Sequence, residues 1–130
     1  MEFMTLNELS RIVVDSAFEV RRTLGLGLLE SAYESALECE LRLRGVEVKR
    51  QIPIFMKYKG ADIGEGYRLD MLVDDRLIVE CKATELNRPV YAAQCLTYLR
   101  AAGLSLGLVI NFGSPIFKNG IERVANGFEE

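Results

Sequence analysis

The chain has 130 residues, of which 16 are basic, 19 acidic and 49% apolar, with a formal net charge of −3 and no histidine. That length is enough for one domain with a real core. The absence of histidine excludes histidine triads and histidine general bases, so any hydrolytic chemistry must rest on Asp, Glu, Lys, Tyr, Ser or a metal.

The acidic balance argues against a generic nucleic-acid binder, which carries a strongly basic domain. No apolar run is long enough to span a bilayer. The start, Met1 to Thr5, lacks the basic region and apolar stretch of a signal peptide. A cytoplasmic location without a membrane partner is therefore expected. Cys39, Cys81 and Cys95 are odd in number, widely spaced and set in apolar patterns. They read as reduced core residues, and a structural zinc site is not expected.

A first helix begins at Thr5, which with Glu8 forms a capping box, and Met4 and Leu9 are placed to staple it. Leu6, Leu9, Ile12, Val13, Ala17, Val20 and Leu24 recur at helical spacing, and Gly25 suits a left-handed cap. After Gly25-Leu26-Gly27 a second helix is predicted over 28–44, ended by Gly45. Its Glu30, Glu34 and Glu38 form an acidic stripe, and a solvated helix face explains Glu34 and Glu38. Glu30 lies with Gly27 and Tyr33 near one helical face, where Gly27 would admit another backbone. The helix dipole alone also accounts for a glutamate in the first turn.

Residues 46–58 read as a strand broken by Pro53, hence at an edge or bulged. A turn at Lys59-Gly60-Ala61-Asp62 leads into a strand over 63–73. The polar turn Asp74-Asp75-Arg76 then makes 67–82 an antiparallel hairpin and completes a three-stranded meander. The basic residues Arg42, Arg44, Lys49, Arg50, Lys57 and Lys59 read either as a solvated mixed face, the reading we favour, or as a phosphate track. Asn87-Arg88-Pro89 starts a third helix with Asn87 as cap, which runs to Ala102 and ends at Gly103. Gln94 and Tyr98 lie one turn apart on it, explained without function as a solvated residue and a core aromatic. Residues 104–112 form a buried strand, and Asn119-Gly120 is a favoured type I′ turn for a terminal hairpin. The order α-α-β-β-β-α-β predicts an α/β (α+β) fold, a mixed sheet flanked by helices in a single domain over 1–130.

In the hairpin, a loop at 74–76 pairs Leu72 with Ile78 and sets Asp70 opposite Glu80, with Cβ atoms about 4.5–5.5 Å apart. Two carboxylates at that distance repel unless a cation lies between them, and Lys82 shares a face with Glu80. Mg²⁺, held by two carboxylates and a substrate phosphate, would suit such a site. It would polarise a phosphoryl oxygen and activate a water that Lys82 positions or deprotonates. The bland alternative is a strand-surface Glu80–Lys82 ion pair with Asp70 beginning a turn. Pattern alone leaves both readings open.

Asp70 followed by Glu80-Cys81-Lys82 resembles the signature of the PD-(D/E)xK nuclease superfamily, with Leu69 in place of the leading proline. Gly27-Leu28-Leu29-Glu30-Ser31-Ala32-Tyr33 resembles the motif of the small GxxExxY protein family. So do Arg68-Leu69-Asp70, the stretch Gln94-Cys95-Leu96-Thr97-Tyr98-Leu99, and Leu108-Val109-Ile110-Asn111-Phe112-Gly113. The resemblance covers nearly the whole chain. It implies a restriction-endonuclease-like αβββαβ core acting on DNA or RNA with Mg²⁺ or Mn²⁺. Asp70 and Glu80 would be metal ligands, with the Cys81 carbonyl as a further ligand, and Lys82 would be the catalytic lysine. Glu30 would act through a metal-bound water, and Gln94 would be a supporting polar residue. Tyr33 and Tyr98 would pack or orient. The rival function is a catalytically idle nuclease-fold module that binds nucleic acid or a protein partner. A homodimer would enlarge its binding surface.

Overall fold

The computed structural model describes residues 4–128; the start of the stretch read for a signal peptide, residues 1–3, lies outside them. Helix α1 spans Leu6–Leu24, and the Thr5 hydroxyl accepts the Glu8 N–H at 3.1 Å. Among the described residues this is the half of the capping box that forms. Gly25, at φ 73°, closes the helix with its N–H on the Arg21 carbonyl. Helix α2 spans Glu30–Leu43 and α3 spans Pro89–Ala102, with Gly103 in the left-handed conformation behind α3. No helix among the described residues is long and apolar enough to cross a membrane.

The five strands are β1 Val48–Tyr58, β2 Ala61–Val73, β3 Leu77–Lys82, β4 Leu106–Asn111 and β5 Ile121–Ala125. They form one mixed sheet in the order β1-β2-β3-β4-β5. Strands β3 and β4 are parallel and the other pairs antiparallel. The parallel pair requires the chain to cross the sheet, and α3 is that crossover. The apolar faces of α1 and α2 pack on one side with Met71, Val73, Val79, Cys81, Leu108 and Ile110. On the other side α3 packs through Cys95 and Leu99 against Leu69, Ile78 and Val109. Both sides of β3 and β4 are thus covered, as their unbroken apolar sequences require. The fold is the mixed sheet flanked by helices that the element order predicts, in the restriction-endonuclease-like arrangement that the resemblance implies.

The hairpin register is the expected one, with Leu72 opposite Ile78 and Val73 opposite Leu77. Strand β1 is an edge strand, as Pro53 implies, and its pairing with β2 shifts between Ile54 and Phe55 and between Met56 and Lys57. Lys59 and Gly60 both have positive φ, 48° and 85°, as a two-residue type I′ hairpin turn demands.

Several expectations are corrected. Helix α2 begins at Glu30, because Leu29 is extended at ψ 148°. Gly27 therefore lies in the loop, and nothing comes within 4 Å of a Cβ placed there. Glycine is required at that position by its φ of 96° and not by a close approach. The cap position of α3 belongs to Arg88; the Asn87 amide instead donates to the Asn119 carbonyl at 2.8 Å. Phe117–Gly120 is a 3₁₀ turn, and β5 pairs with β4 in place of a terminal hairpin. Neither Asn119 nor Gly120 has the positive φ of a type I′ turn. Cys39 is exposed, whereas Cys81 and Cys95 are buried and unpaired.

Gly107 is the tightest point beneath α3, since a Cβ there would lie 2.6 Å from Cys95 Sγ. Gly107→Ala should cost about 1–3 kcal/mol in urea unfolding. Adding Cys95→Ala should recover part of that loss. A purely additive pair would show that the two side chains do not compete for space.

Candidate active site

The ladder between β2 and β3 runs from Val73–Leu77 to Met71–Val79 and stops there. At the next position, side chains replace backbone pairing. The Asp70 N–H donates to Glu80 Oε2 at 3.1 Å, and the Cys81 N–H donates to Asp70 Oδ2 at 2.8 Å. Each carboxyl group thus satisfies a backbone donor that the parting strands would leave bare.

The strands part where β2 changes phase. Tyr67 and Leu69 pack toward α3, whereas Met71 and Val73 pack toward α1 and α2. Strict alternation would keep all four on one face. Strand β1 changes phase with β2: Val48 faces α1 and α2, while Ile52 and Ile54 face α3. The pivot is Gln51, which lies across from Asp70 between the pairs Arg50–Met71 and Ile52–Leu69. Its φ of 52° is costly for a residue with a side chain. Its amide is held by Glu34 Oε1 at 2.9 Å, and the same oxygen accepts from the Arg50 guanidinium at 3.0 Å. Arg50 also reaches Glu38 Oε1 at 3.3 Å. Glu34 is thus buried and paired, not solvated as its place in the acidic stripe suggests. The stripe faces β1 because the strand brings a cation to it.

Glu80 is 4% exposed. Burial, and secondly the neighbouring Asp70 charge, push its carboxyl up to about 9. Glu30, at the exposed start of α2, is also raised, first by partial desolvation and then by Asp70. Lys82 places its Nζ 4.9 Å from the centroid of the Tyr91 ring, and no Glu80–Lys82 ion pair forms among the described residues. Asp70 lies inside β2 and does not begin a turn. Both parts of the bland explanation therefore fail. The Cys81 thiol is buried on the opposite face, and that burial raises it well above its ordinary value. It is no nucleophile.

The remaining expected residues are more scattered. Gln94 is exposed on α3, and no hydrogen bond joins it to the carboxylates among the described residues. Tyr98 is half-buried and stacks on Tyr67 at 4.3 Å. Tyr33 both packs and orients: its ring stacks on Phe112 at 4.8 Å, and its hydroxyl donates to the Gly25 carbonyl at 2.6 Å. It thereby fixes the loop leading to Glu30. Four of the six basic residues weighed as a phosphate track are engaged in close ion pairs. Arg42 pairs with Glu38, Arg44 with Glu40, Lys49 with Asp75 and Arg50 with Glu34.

Two features escape a reading of the sequence. Asn111 is buried opposite Lys82 across the parallel strands. Its Oδ1 accepts from the Thr84 N–H at 3.0 Å, and its Nδ2 donates to Asn87 Oδ1 at 2.8 Å, which pins the loop after Lys82. That loop and the Gly25–Leu29 segment border a cavity of about 510 Å³ lined by Leu26, Leu28, Tyr33, Ala83, Leu86 and Pro115. A polar residue ending an apolar strand is the one signal that marks Asn111. The cavity has none, because its walls come from loops distant in sequence.

Among the described residues no three Asp, Glu or Cys side chains gather as a metal cluster. Asp70 and Glu80 meet through their backbone bonds, and Glu30 lies near enough for the Asp70 charge to raise it. The donor set nevertheless fits a hydrated divalent ion. Two carboxyl groups meet in a buried place where both cannot be comfortably ionised, and oxygen donors of this kind suit Mg²⁺ or Mn²⁺.

A five-stranded mixed sheet flanked by helices, with an acid pair and a lysine where two strands part, defines a nuclease-type fold. A family model of the PD-(D/E)XK nuclease superfamily matches residues 7–124, and the chain belongs to that superfamily. No curated protein and no solved structure gives a significant match.

Glu80 titrates near 4.5 when unfolded and near 9 when folded. Between those values the folded state keeps a proton that the unfolded state has released. This contribution to stability is full below about pH 4.5 and is lost as the pH rises through about 9. Glu80→Gln should therefore flatten the decline in melting temperature between pH 5 and 9. It should stabilise the metal-free protein by roughly 2 kcal/mol at pH 8. Equal stability of the two proteins at pH 8 would show that Glu80 is ionised at no cost.

Proposed function

We propose that this chain is a metal-dependent phosphodiesterase acting on DNA or RNA, related to the GxxExxY group within its superfamily and forming one catalytic unit. The observation that supports this reading most is the buried contact between Asp70 and Glu80 at the point where β2 and β3 part. Uncharged side chains could satisfy those two backbone donors without the cost of a second buried carboxyl group, whereas a cation site calls for both carboxyl groups. Asp70 and Glu80 would hold Mg²⁺ or Mn²⁺, with the Cys81 carbonyl as a further ligand and Glu30 reaching it through water. When bound, the ion would polarise a phosphoryl oxygen and lower the pKa of a bound water. Lys82, steadied over Tyr91, would bring its ammonium to the scissile phosphate and offset charge gathering there. Gln94 would contact substrate from α3, since it is exposed and free to turn. We place this activity in the cytoplasm.

Supercoiled and linear DNA and structured RNA, incubated with Mg²⁺ or Mn²⁺, provide the test. Asp70→Ala, Glu80→Ala and Lys82→Ala should each lower cleavage by about 100-fold or more, and Glu30→Gln by about 10-fold. Activity retained in all three alanine variants would mark a contaminant.

A second reading is an idle nuclease-fold module that binds nucleic acid or a protein partner, and the pairing of the basic residues noted above favours the protein partner. Calorimetric titration with Mn²⁺ separates the two. Binding that disappears in Asp70→Ala supports the enzyme, and no binding by the wild type supports the idle module.

A further inference from the structure

The two parallel strands leave the sheet toward opposite sides. From the end of β3 the chain turns to α3 and its core, whereas from the end of β4 it carries Phe112 and Phe117 into the core beneath α1 and α2. A crevice outside the carboxyl ends of strands that diverge in this way is where open α/β sheets hold ligands. The cavity of about 510 Å³ lies there, between the 83–86 loop, Gly113 with Pro115, and the Gly25–Leu29 segment. Its volume falls within the roughly 300–1,000 Å³ of small-molecule sites.

All three walls are tied in place. Asn111 Oδ1 accepts from the N–H groups of both Thr84 and Gly113, each at 3.0 Å. The two loops lie so close that a Cβ on Gly113 would stand 2.5 Å from backbone atoms of Thr84. The third wall hangs on the Tyr33 hydroxyl, which donates to the Gly25 carbonyl at 2.6 Å and accepts from the Leu28 N–H at 3.3 Å. The cavity is therefore preformed. Its lining is mainly apolar, and Leu26 and Leu86 stay 54% and 64% exposed at its mouth. Among the described residues that line it, Glu85 alone is charged, and none is a lysine or arginine. A phosphate or carboxylate has no cation to hold it there.

We propose that this cavity receives one unstacked nucleobase of the substrate, beside the scissile phosphate. The inference rests on the nuclease reading above. Two observations select a base. The walls are continuous with residues assigned to the phosphate and its ion, since Ala83 follows Lys82 and Leu28 stands two residues before Glu30. A strand held by its phosphate thus brings the neighbouring nucleotide to the cavity mouth. The lining also matches a base and no other part of a nucleotide. A base has apolar faces for Leu26, Leu28 and Leu86, and amino groups that a carboxylate such as Glu85 accepts. The same carboxylate repels phosphate. A base within a duplex reaches such a pocket only by leaving the stack. The substrate class is therefore single-stranded or locally unpaired nucleic acid, with perfect duplex the poorer substrate.

A single DNA strand carrying 2-aminopurine, whose emission rises when the base leaves its stack, provides the test beside the same strand in perfect duplex. Binding is read by emission and anisotropy with Ca²⁺ present to slow cleavage. The wild type should bind the single strand about 10-fold more tightly than the duplex, with a rise in emission. Leu26→Asn with Leu86→Asn should remove that rise and about 10-fold of the single-strand affinity, while Mn²⁺ binding by calorimetry stays unchanged. Should that variant misfold, an abasic residue in place of the 2-aminopurine probes the cavity from the substrate side and should weaken wild-type binding by a similar factor. No binding to either form overturns the inference, as does equal affinity for both, an emission that stays constant, or a strand held as tightly by the double variant or without its base. Failure of the nuclease reading looks different: absent Mn²⁺ binding and absent cleavage, with the emission rise intact, leave a base-binding cavity on an idle module.

Discussion

The rest of the structure is arranged around the exchange between Asp70 and Glu80, in which each carboxyl group takes a backbone N–H at the place where two strands separate. A sheet that opens must satisfy its freed donors or lose about 1–3 kcal/mol for each one left buried and bare. Two acidic side chains meet that need, yet bring a second problem, since a buried second charge costs several kcal/mol. The protein is left to hold a proton or to recruit a cation. That choice, built into the backbone, makes the site a place for chemistry and not merely a polar defect.

Other elements serve this opening from both sides. On β1, Gln51 adopts a left-handed backbone conformation across from Asp70, and Glu34 and Arg50 secure it from α2. On β4, Asn111 holds the loop that follows Lys82, and the start of α3 brings Tyr91 beneath the ammonium. Tyr33 joins the same construction through Gly25, so the approach to Glu30 is set by an aromatic stacked in the core. Local strain at Gln51 and the raised carboxyl of Glu80 are thus supported by packing well away from either. Beyond the opening, the same change of phase sends Ile52, Ile54, Tyr67 and Leu69 to α3.

Much of this was legible in local sequence. Thr5, Gly25, Pro89 and Gly103 mark helix ends through short-range backbone chemistry, and each does so in the structure. The turn at 74–76 sets the register of β2 on β3, and register alone puts Asp70 beside Glu80. The errors share one cause. Glu34 appeared solvated because helical spacing shows neighbours along a helix and not the Arg50 that a strand delivers. Asn119-Gly120 has the composition of a tight hairpin, but β4 was open on one side and paired with the chain that followed. Asn87 is a good cap residue drawn into a different bond by Asn111.

By itself the sequence determined the kinds and order of the elements, the crossover through α3 and the hairpin that pairs the two acids. These depend on periodicity, turn chemistry and residues within a few positions of one another. Only the tertiary structure decided that Glu80 is buried and its carboxyl raised, that Glu30 comes within reach of the Asp70 charge, and that Gln51 and Asn111 support the site. Desolvation and charge coupling depend on what lies within a few ångströms in space, and those neighbours come from α2, β1 and β4, far from the hairpin along the chain.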